Sequence, residues 1–278
     1  MGLKTNTNSG STFSSNQLLK GHRALLGSLE RLSTGKKINK ASDDASGMSI
    51  VNALESQAMG YGQAIKNSND AISITQVADG ALEKASHIVQ EIRTKAIQAA
   101  SAAQSPESRL AIQADIGKSL QSMKDIARNT TFNGQTLLSG NFMDRQFQVG
   151  TEARETLTIS LGSIDPGQMA HETLGSLSDI EVSTKEGAQN AIQLADAAME
   201  TLGQQKSKVG SIANQLSSSI NTLSNAMINT ISAASGIKDL DFAEESMNLN
   251  KIKLLGKTQA FAQAQANSSA RNVMDLFE

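Results

Sequence analysis

The 278-residue chain has no cysteine and no tryptophan, one tyrosine and only two prolines. Without cysteine there are no disulfides, no thiolate chemistry and no cysteine metal sites. Three histidines, His22, His87 and His171, are the only imidazoles. No pair of them has metal-ligand spacing. His171-Glu172 opens like a zinc-protease motif, but Gly175 stands where the second histidine belongs. Seven phenylalanines and the tyrosine are too few aromatics for a bulky globular interior. No apolar run approaches the roughly 18 residues of a membrane span, and the first thirty residues lack the apolar core of a cleavable secretion signal. These features predict a soluble chain that is not exported by the general signal-peptide route.

What is abundant is small and polar: serine, threonine, asparagine and glutamine supply 93 residues. With so little proline, that profile favours long helices packed through small and aliphatic side chains. Charge is unevenly spread. Residues 1–40 carry Lys4, Lys20, Arg23, Arg31, Lys36, Lys37 and Lys40 against Glu30 alone, while the chain's net charge is −2. In this basic arm only Phe13 is available to stack on a base, which argues against nucleic acid. A better match is the acidic group Asp239, Asp241, Glu244 and Glu245 near the other end.

The strongest periodicity lies in the C-terminal half. One register reads Ile192, Met199, Lys206, Ala213, Ile220 and Met227, and the other Ala195, Leu202, Val209, Leu216, Leu223 and Thr230. Alternating steps of three and four predict a coiled-coil seam on a helix about 58 Å long. A helix of that length needs equally long partners. Val51, Leu54, Ala58, Tyr61 and Ile65, then Ile74, Val77, Ala81, Ala85, Ile88, Ile92, Ala96 and Ala99, supply one; Ile112, Ile116, Leu120, Met123 and Ile126 supply a shorter one. Ser42 or Asp43 is a candidate cap for the first of these, and Ser105-Pro106-Glu107 marks its end and a new helix start. Residues 131–162 read as turns and β-hairpins, with Asn133-Gly134 as a turn and period-two alternation from Thr156 to Leu161. Residues 162–180 read as a connector where the chain reverses, with the next helix starting near 184.

Both ends carry apolar stripes: Leu18, Leu25, Leu29 and Leu32 near the start, and Leu240, Met247, Leu254 and Phe261 near the finish. Gly35 and Gly236 are the expected breaks that set these end helices apart. Helices about 20 residues long cannot bury one stripe alone, so they must pair with each other or with neighbouring molecules. The eight residues are the candidate polymerisation contacts. The predicted fold class is mainly α: a long antiparallel helical coiled-coil rod with a small β-hairpin region, and N- and C-terminal helices paired as an inner coiled coil. Residues 1–40 and 238–278 form the terminal-helix domain and residues 41–237 the helical one, with hairpins at about 131–162.

Several blocks resemble the bacterial flagellins: Leu32-Ser-Thr-Gly-Lys-Lys-Ile-Asn39, Asp43-Asp44-Ala45-Ser46-Gly47-Met48-Ser49-Ile50, Thr131-Phe132-Asn133-Gly134-Gln135-Thr136-Leu137-Leu138-Ser139-Gly140, Phe147-Gln148-Val149-Gly150 and Ala264-Gln265-Ala266-Asn267. The opening Met1 to Asn8 is similar to the family start. The resemblance implies termini lining a filament channel, a helical layer outside them, and export by the flagellum's type III apparatus. It also implies a structural role in an extracellular swimming filament, not an enzyme, with no cofactor. The implied partners are copies of the chain, the export apparatus and chaperone, and cap and junction proteins, with no nucleic acid and no membrane. The short connector leaves no room for variable outer domains, so the chain resembles a minimal flagellin. Two stretches depart from the family: residues 9–15 are more polar, and the ending Val273 to Glu278 carries two acids. A hook-filament junction protein and a receptor or adhesion ligand are the alternatives.

Many flagellins present an arginine, a second arginine two residues on and a leucine two further on to a toll-like innate receptor, with a glutamate on the neighbouring helix. By resemblance those positions are Glu91, Arg93, Lys95 and Asp115. Glu91 reverses a charge and Lys95 replaces an apolar contact. The segment Ile92 to Ala100 is similar to that of flagellins from Campylobacter and Helicobacter relatives, which implies a weak receptor contact at most.

Overall fold

The computed structural model describes residues 9–171 and 174–274. The opening Met1 to Asn8, Glu172 with Thr173, and the chain end from Asp275 lie outside the described residues. Five helices dominate, α1 (Ser9–Thr34), α2 (Ala45–Ala100), α3 (Pro106–Asn129), α4 (Lys185–Lys238) and α5 (Phe242–Met274). About 74% of the structure is helical, and the long helices pack together. Between α3 and α4 lie three antiparallel strand pairs: β1 (Thr131–Phe132) with β2 (Gln135–Thr136), β3 (Arg145–Gln148) with β4 (Thr156–Ile159), and β5 (Ala170–His171) with β6 (Gly175–Ser176). The chain divides into two compact units, residues 1–56 with 229–278, and residues 57–228.

The helix ends follow local chemistry. At α3, the Ser105 hydroxyl accepts from the Ser108 N–H at 3.1 Å, and Pro106 takes the first helical position where no donor is needed. The α4 start is capped in the same way, Thr184 accepting from Gly187 N–H at 3.0 Å. At α2 the cap is Asp44, whose carboxylate accepts from the Gly47 N–H at 2.9 Å, not the expected Ser42 or Asp43. Asp43 is occupied one turn earlier, accepting from the N–H groups of Asn39 and Lys40, which hold its carboxyl below the usual range.

In the unit of residues 57–228, α2, α3, α4 and the hairpins share one core. From α2 come Ala71, Ala78, Ala85, Ile92 and Ala99, one every seventh residue, and from α4 Ala195, Leu202, Val209 and Leu216. The alanines of α2 and the larger side chains of α4 belong to one buried cluster. The second α4 register is buried through Leu223, whereas the first, from Ile192 to Met227, is half-buried. On α2 the expected Val77 is 40% exposed and Ala78 is buried in its place. The Asn-Gly turn works as its chemistry requires, both residues having positive φ (48° and 76°) between β1 and β2. Residues 162–180 are more than a connector. They hold the β5–β6 pair and a short 3-10 helix, Leu177–Asp179, and they bury Ile164, Met169, Leu177 and Ile180. The Gln113 amide secures the exit by donating to Ile180 C=O and accepting from Val182 N–H.

In the other unit, α1 and α5 pack side by side. Gly35 ends α1 with φ at +68°, a conformation that penalises any Cβ. Gly236 does not end α4, which continues to Lys238. The break falls at 239–241, and Asp241 caps α5 by accepting from the N–H groups of Ala243 and Glu244. The two breaks are joined: Lys36 and Asp239 form an antiparallel bridge, flanked by Lys37 N–H to Lys238 C=O at 2.7 Å and Leu240 N–H to Gly35 C=O at 3.0 Å. The polar stretch 9–15 lies within α1.

Candidate subunit interface on the terminal helices

The α1–α5 seam is built largely from small and polar residues. On α1 the covered positions include Ser11, Ser14, Gln17, Gly21, Leu25, Ser28 and Leu32; on α5 they include Glu245, Leu249, Ile252, Gly256, Gln259, Gln263 and Ala266. Steps of three and four on both helices mark a coiled-coil pairing. Arg31 Nη2 donates to Glu245 Oε1 at 2.8 Å, and Glu245 is 8% exposed. Burial pulls the Glu245 pKa upward, but the Arg31 hydrogen bond, the Ser28 hydroxyl and the guanidinium charge outweigh it and hold the carboxyl below its usual range. The basic arm meets the acidic group at this pair, while Lys40 pairs with Glu30 of its own arm.

Of the eight predicted contact residues, the structure divides the two stripes differently. Leu25, Leu32 and Leu240 are half-buried, and Leu18 and Leu29 are exposed. Met247, Leu254 and Phe261 lie away from the seam and are 67%, 64% and 74% exposed. Further exposed apolar residues escaped the sequence reading: Phe13, Leu19, Leu26 and Leu255. A signal was present. Leu18-Leu19, Leu25-Leu26 and Leu254-Leu255 are adjacent pairs, and neighbours on a helix are 100° apart, so one stripe cannot hold both. The result is a helix pair with polar atoms inside and large apolar side chains outside, the reverse of what a free-standing coiled coil presents to water.

The four innate-receptor positions lie in the other unit. Glu91 is exposed. Arg93 Nε donates to Asp196 Oδ1 at 2.6 Å, and Lys95 Nζ to Asp115 Oδ2 at 3.1 Å. Lys95, through its hydrogen bond and charge, and Lys118 hold the Asp115 carboxyl below its usual range. Both cations of the predicted face are thus engaged by carboxylates of the same chain. Among the described residues no helix is long and apolar enough to cross a membrane, and no group of three or more His, Asp or Glu side chains could hold a metal ion.

The family model of the bacterial flagellin N-terminal helical region matches residues 5–143, and that of the C-terminal helical region matches residues 192–277. The chain belongs to the bacterial flagellins. Flagellin B of Helicobacter pylori is 42% identical over 202 residues, which cover 73% of this chain and 38% of that relative. The chain thus spans well under half the length of the Helicobacter flagellins it matches. A relative that matches nearly end to end is the flagellar filament 31.3 kDa core protein of Treponema maltophilum, 28% identical over 90% of this chain and 91% of its own. Among solved structures, a chain described as a flagellar hook-associated protein of Vibrio parahaemolyticus superposes with a TM-score of 0.60 over 71% of this chain and all of its own, at 12% identity. That likeness is one of fold alone. The two flagellin models leave residues 144–191 between them, the stretch that holds the second and third strand pairs.

Proposed function

We propose that this flagellin is a structural subunit that polymerises into the extracellular flagellar filament used for swimming, with α1 and α5 as the inner assembling layer. The observation that carries the reading is the exposed stripe Met247, Leu254 and Phe261 on a helix whose seam side is polar. A stripe of this size on the outward face is costly in water and is relieved by neighbouring copies through repeated, non-closing contacts. The end-to-end similarity to a relative named as a filament core protein supports it. Within this reading, residues 1–40 and 238–278 form the assembling domain and 41–237 the outer helical one. The remaining partners are the type III export apparatus, its chaperone, and cap and junction proteins.

The junction-protein reading is not favoured, because flagellin models match both halves of the chain. Contact with an innate receptor belongs to the same reading as a weak or absent activity. Glu91 opposes the charge that contact requires, and Lys95 is a hydrated cation already paired with Asp115. The decisive experiment for the main reading is negative-stain microscopy after salting-out of purified protein. Long uniform filaments are the expected result, and persistent monomers refute it.

A further inference from the structure

The α1–α5 seam has too little apolar pattern to fix its own stagger. Leu18, Leu25 and Leu32 repeat at seven residues, and the large aliphatic residues of α5 that the pairing covers are Leu249 and Ile252. Sliding α5 by one heptad sets one leucine of α1 where the next one stood, so leucine spacing alone separates the two staggers only weakly. What does not repeat is the pair Arg31–Glu245, 2.8 Å apart, with Ser28 fully buried beside it. After a one-heptad slip Glu245 lies opposite Ala24, and a largely buried carboxylate has lost its cation. At the far end Gln263 Nε2 donates to Ser11 Oγ at 2.6 Å and Ser11 Oγ to Asn267 at 2.8 Å, but this group is neutral and only half-buried, so its loss costs less than that of a buried carboxylate's cation.

We propose that the Arg31–Glu245 pair is the register key of the terminal helices, the contact that selects one stagger among heptad-related alternatives. One buried polar or ionic pair in an otherwise degenerate seam selects register at some expense of stability. A competing determinant is the backbone bridge between Lys36 and Asp239, which is blind to side chains. The inference does not depend on filament formation.

Because the chain has no cysteine, engineered disulfides report the stagger without background. Gly21→Cys with Gly256→Cys traps the observed register, because Arg31 opposite Glu245 and Lys36 opposite Asp239 set residue 21 against residues 254–255, beside the covered Gly256. Gly21→Cys with Leu249→Cys traps the one-heptad slip, which brings residue 21 opposite residues 247–250. Each pair is made in the full chain, in the parent, in Arg31→Leu/Glu245→Leu, and in the charge-swapped Arg31→Glu/Glu245→Arg. Intrachain disulfides are scored by peptide mass in the non-dimeric gel band, in both sedimented and soluble protein. In the parent the in-register disulfide should exceed the slipped one about ten-fold or more, in the leucine variant the two should come within about three-fold, and the swap should restore the preference. An unchanged ratio in the leucine variant overturns the proposal in favour of the backbone bridge. So does a parent without preference, or a swap that restores nothing. Sedimentation of the same samples reports filament formation separately, so failure to polymerise counts against the subunit reading and not against the key.

Discussion

Replacing Leu254 with aspartate separates assembly from folding more sharply than a change at any half-buried position. Leu254 is 64% exposed in the isolated chain, so in the proposed subunit contact roughly two-thirds of it is left for a neighbour to bury. Full burial of a leucine contributes about 1.5–3 kcal/mol, which makes that share about 1–2 kcal/mol. An aspartate in the same contact must stay charged without a partner or take up a proton, and protonation at pH 7 costs about 4 kcal/mol. Lys251 and Lys257, three residues to either side, offset about 0.5 kcal/mol each. The net loss is about 3 kcal/mol or more per subunit contact, over a hundred-fold in the concentration needed to polymerise. Sedimentation of salted-out protein measures that concentration, and circular dichroism should show unchanged helix content. Filaments at the parent's concentration refute the assignment of this stripe to subunit contacts. Leu25→Asp is a poorer test, because Leu25 is half-buried between α1 and α5 and the change disturbs both levels. Leu216→Asp is the opposite control. Leu216 is fully buried, so the variant should lose several kcal/mol of stability, seen as a thermal transition lowered by about 6–12 °C for about 3 kcal/mol.

Acid should loosen the terminal helices before the rest. Glu245 is held below its usual value of 4.5, so its contribution is complete above that pH and is lost as pH falls through the lower folded value; Glu245→Gln should abolish the pH step in helix content below about pH 4.5. In dilute monomer, amide hydrogen exchange should be fast across α1 and α5 and slow in the core of residues 57–228, because a polar seam offsets little of the ordering entropy; strong protection of both ends refutes this. Glu91→Arg with Lys95→Leu should raise a weak toll-like receptor response, since an apolar contact replaces a paired ammonium worth about 2 kcal/mol at a central position; a parent response equal to that of a receptor-active enteric flagellin contradicts the evasion reading.

Some of this architecture was legible in the sequence because one physical signal dominated each decision. Pro106 with Ser105 fixed the α3 start, and the heptad from Ala195 to Leu223 fixed the buried side of α4. Asn133-Gly134 marked a turn that needs two positive φ angles. Where two signals competed, the reading missed. Gly236 looked like a break, yet a single glycine costs a helix only about 1 kcal/mol, and the real break lies where Asp241 can cap a new helix. Asp43 and Asp44 both fit a cap, and only the observed turn assigns Asp43 to the backbone of residues 39 and 40.

The terminal helices were the harder problem, because apolar periodicity finds a stripe but not what covers it. On α5, Met247, Leu254 and Phe261 are the most conspicuous heptad, and a pattern reader assigns them to the nearest partner helix. The structure gives that place to Glu245, Gln259 and Gln263, residues that hydropathy scores as solvent-facing. What admits them is the small side chain opposite: Gly21 leaves space for Gln259, and Ser28 leaves it for Glu245. Neither helix alone carries this information; it lies in the match between small residues every seven on α1 (Ser14, Gly21, Ser28) and the long polar residues Glu245, Gln259 and Gln263 on α5. Polar side chains that meet across the α1–α5 seam, with Met247, Leu254 and Phe261 facing outward, are the arrangement that the proposed contacts with neighbouring copies would complete.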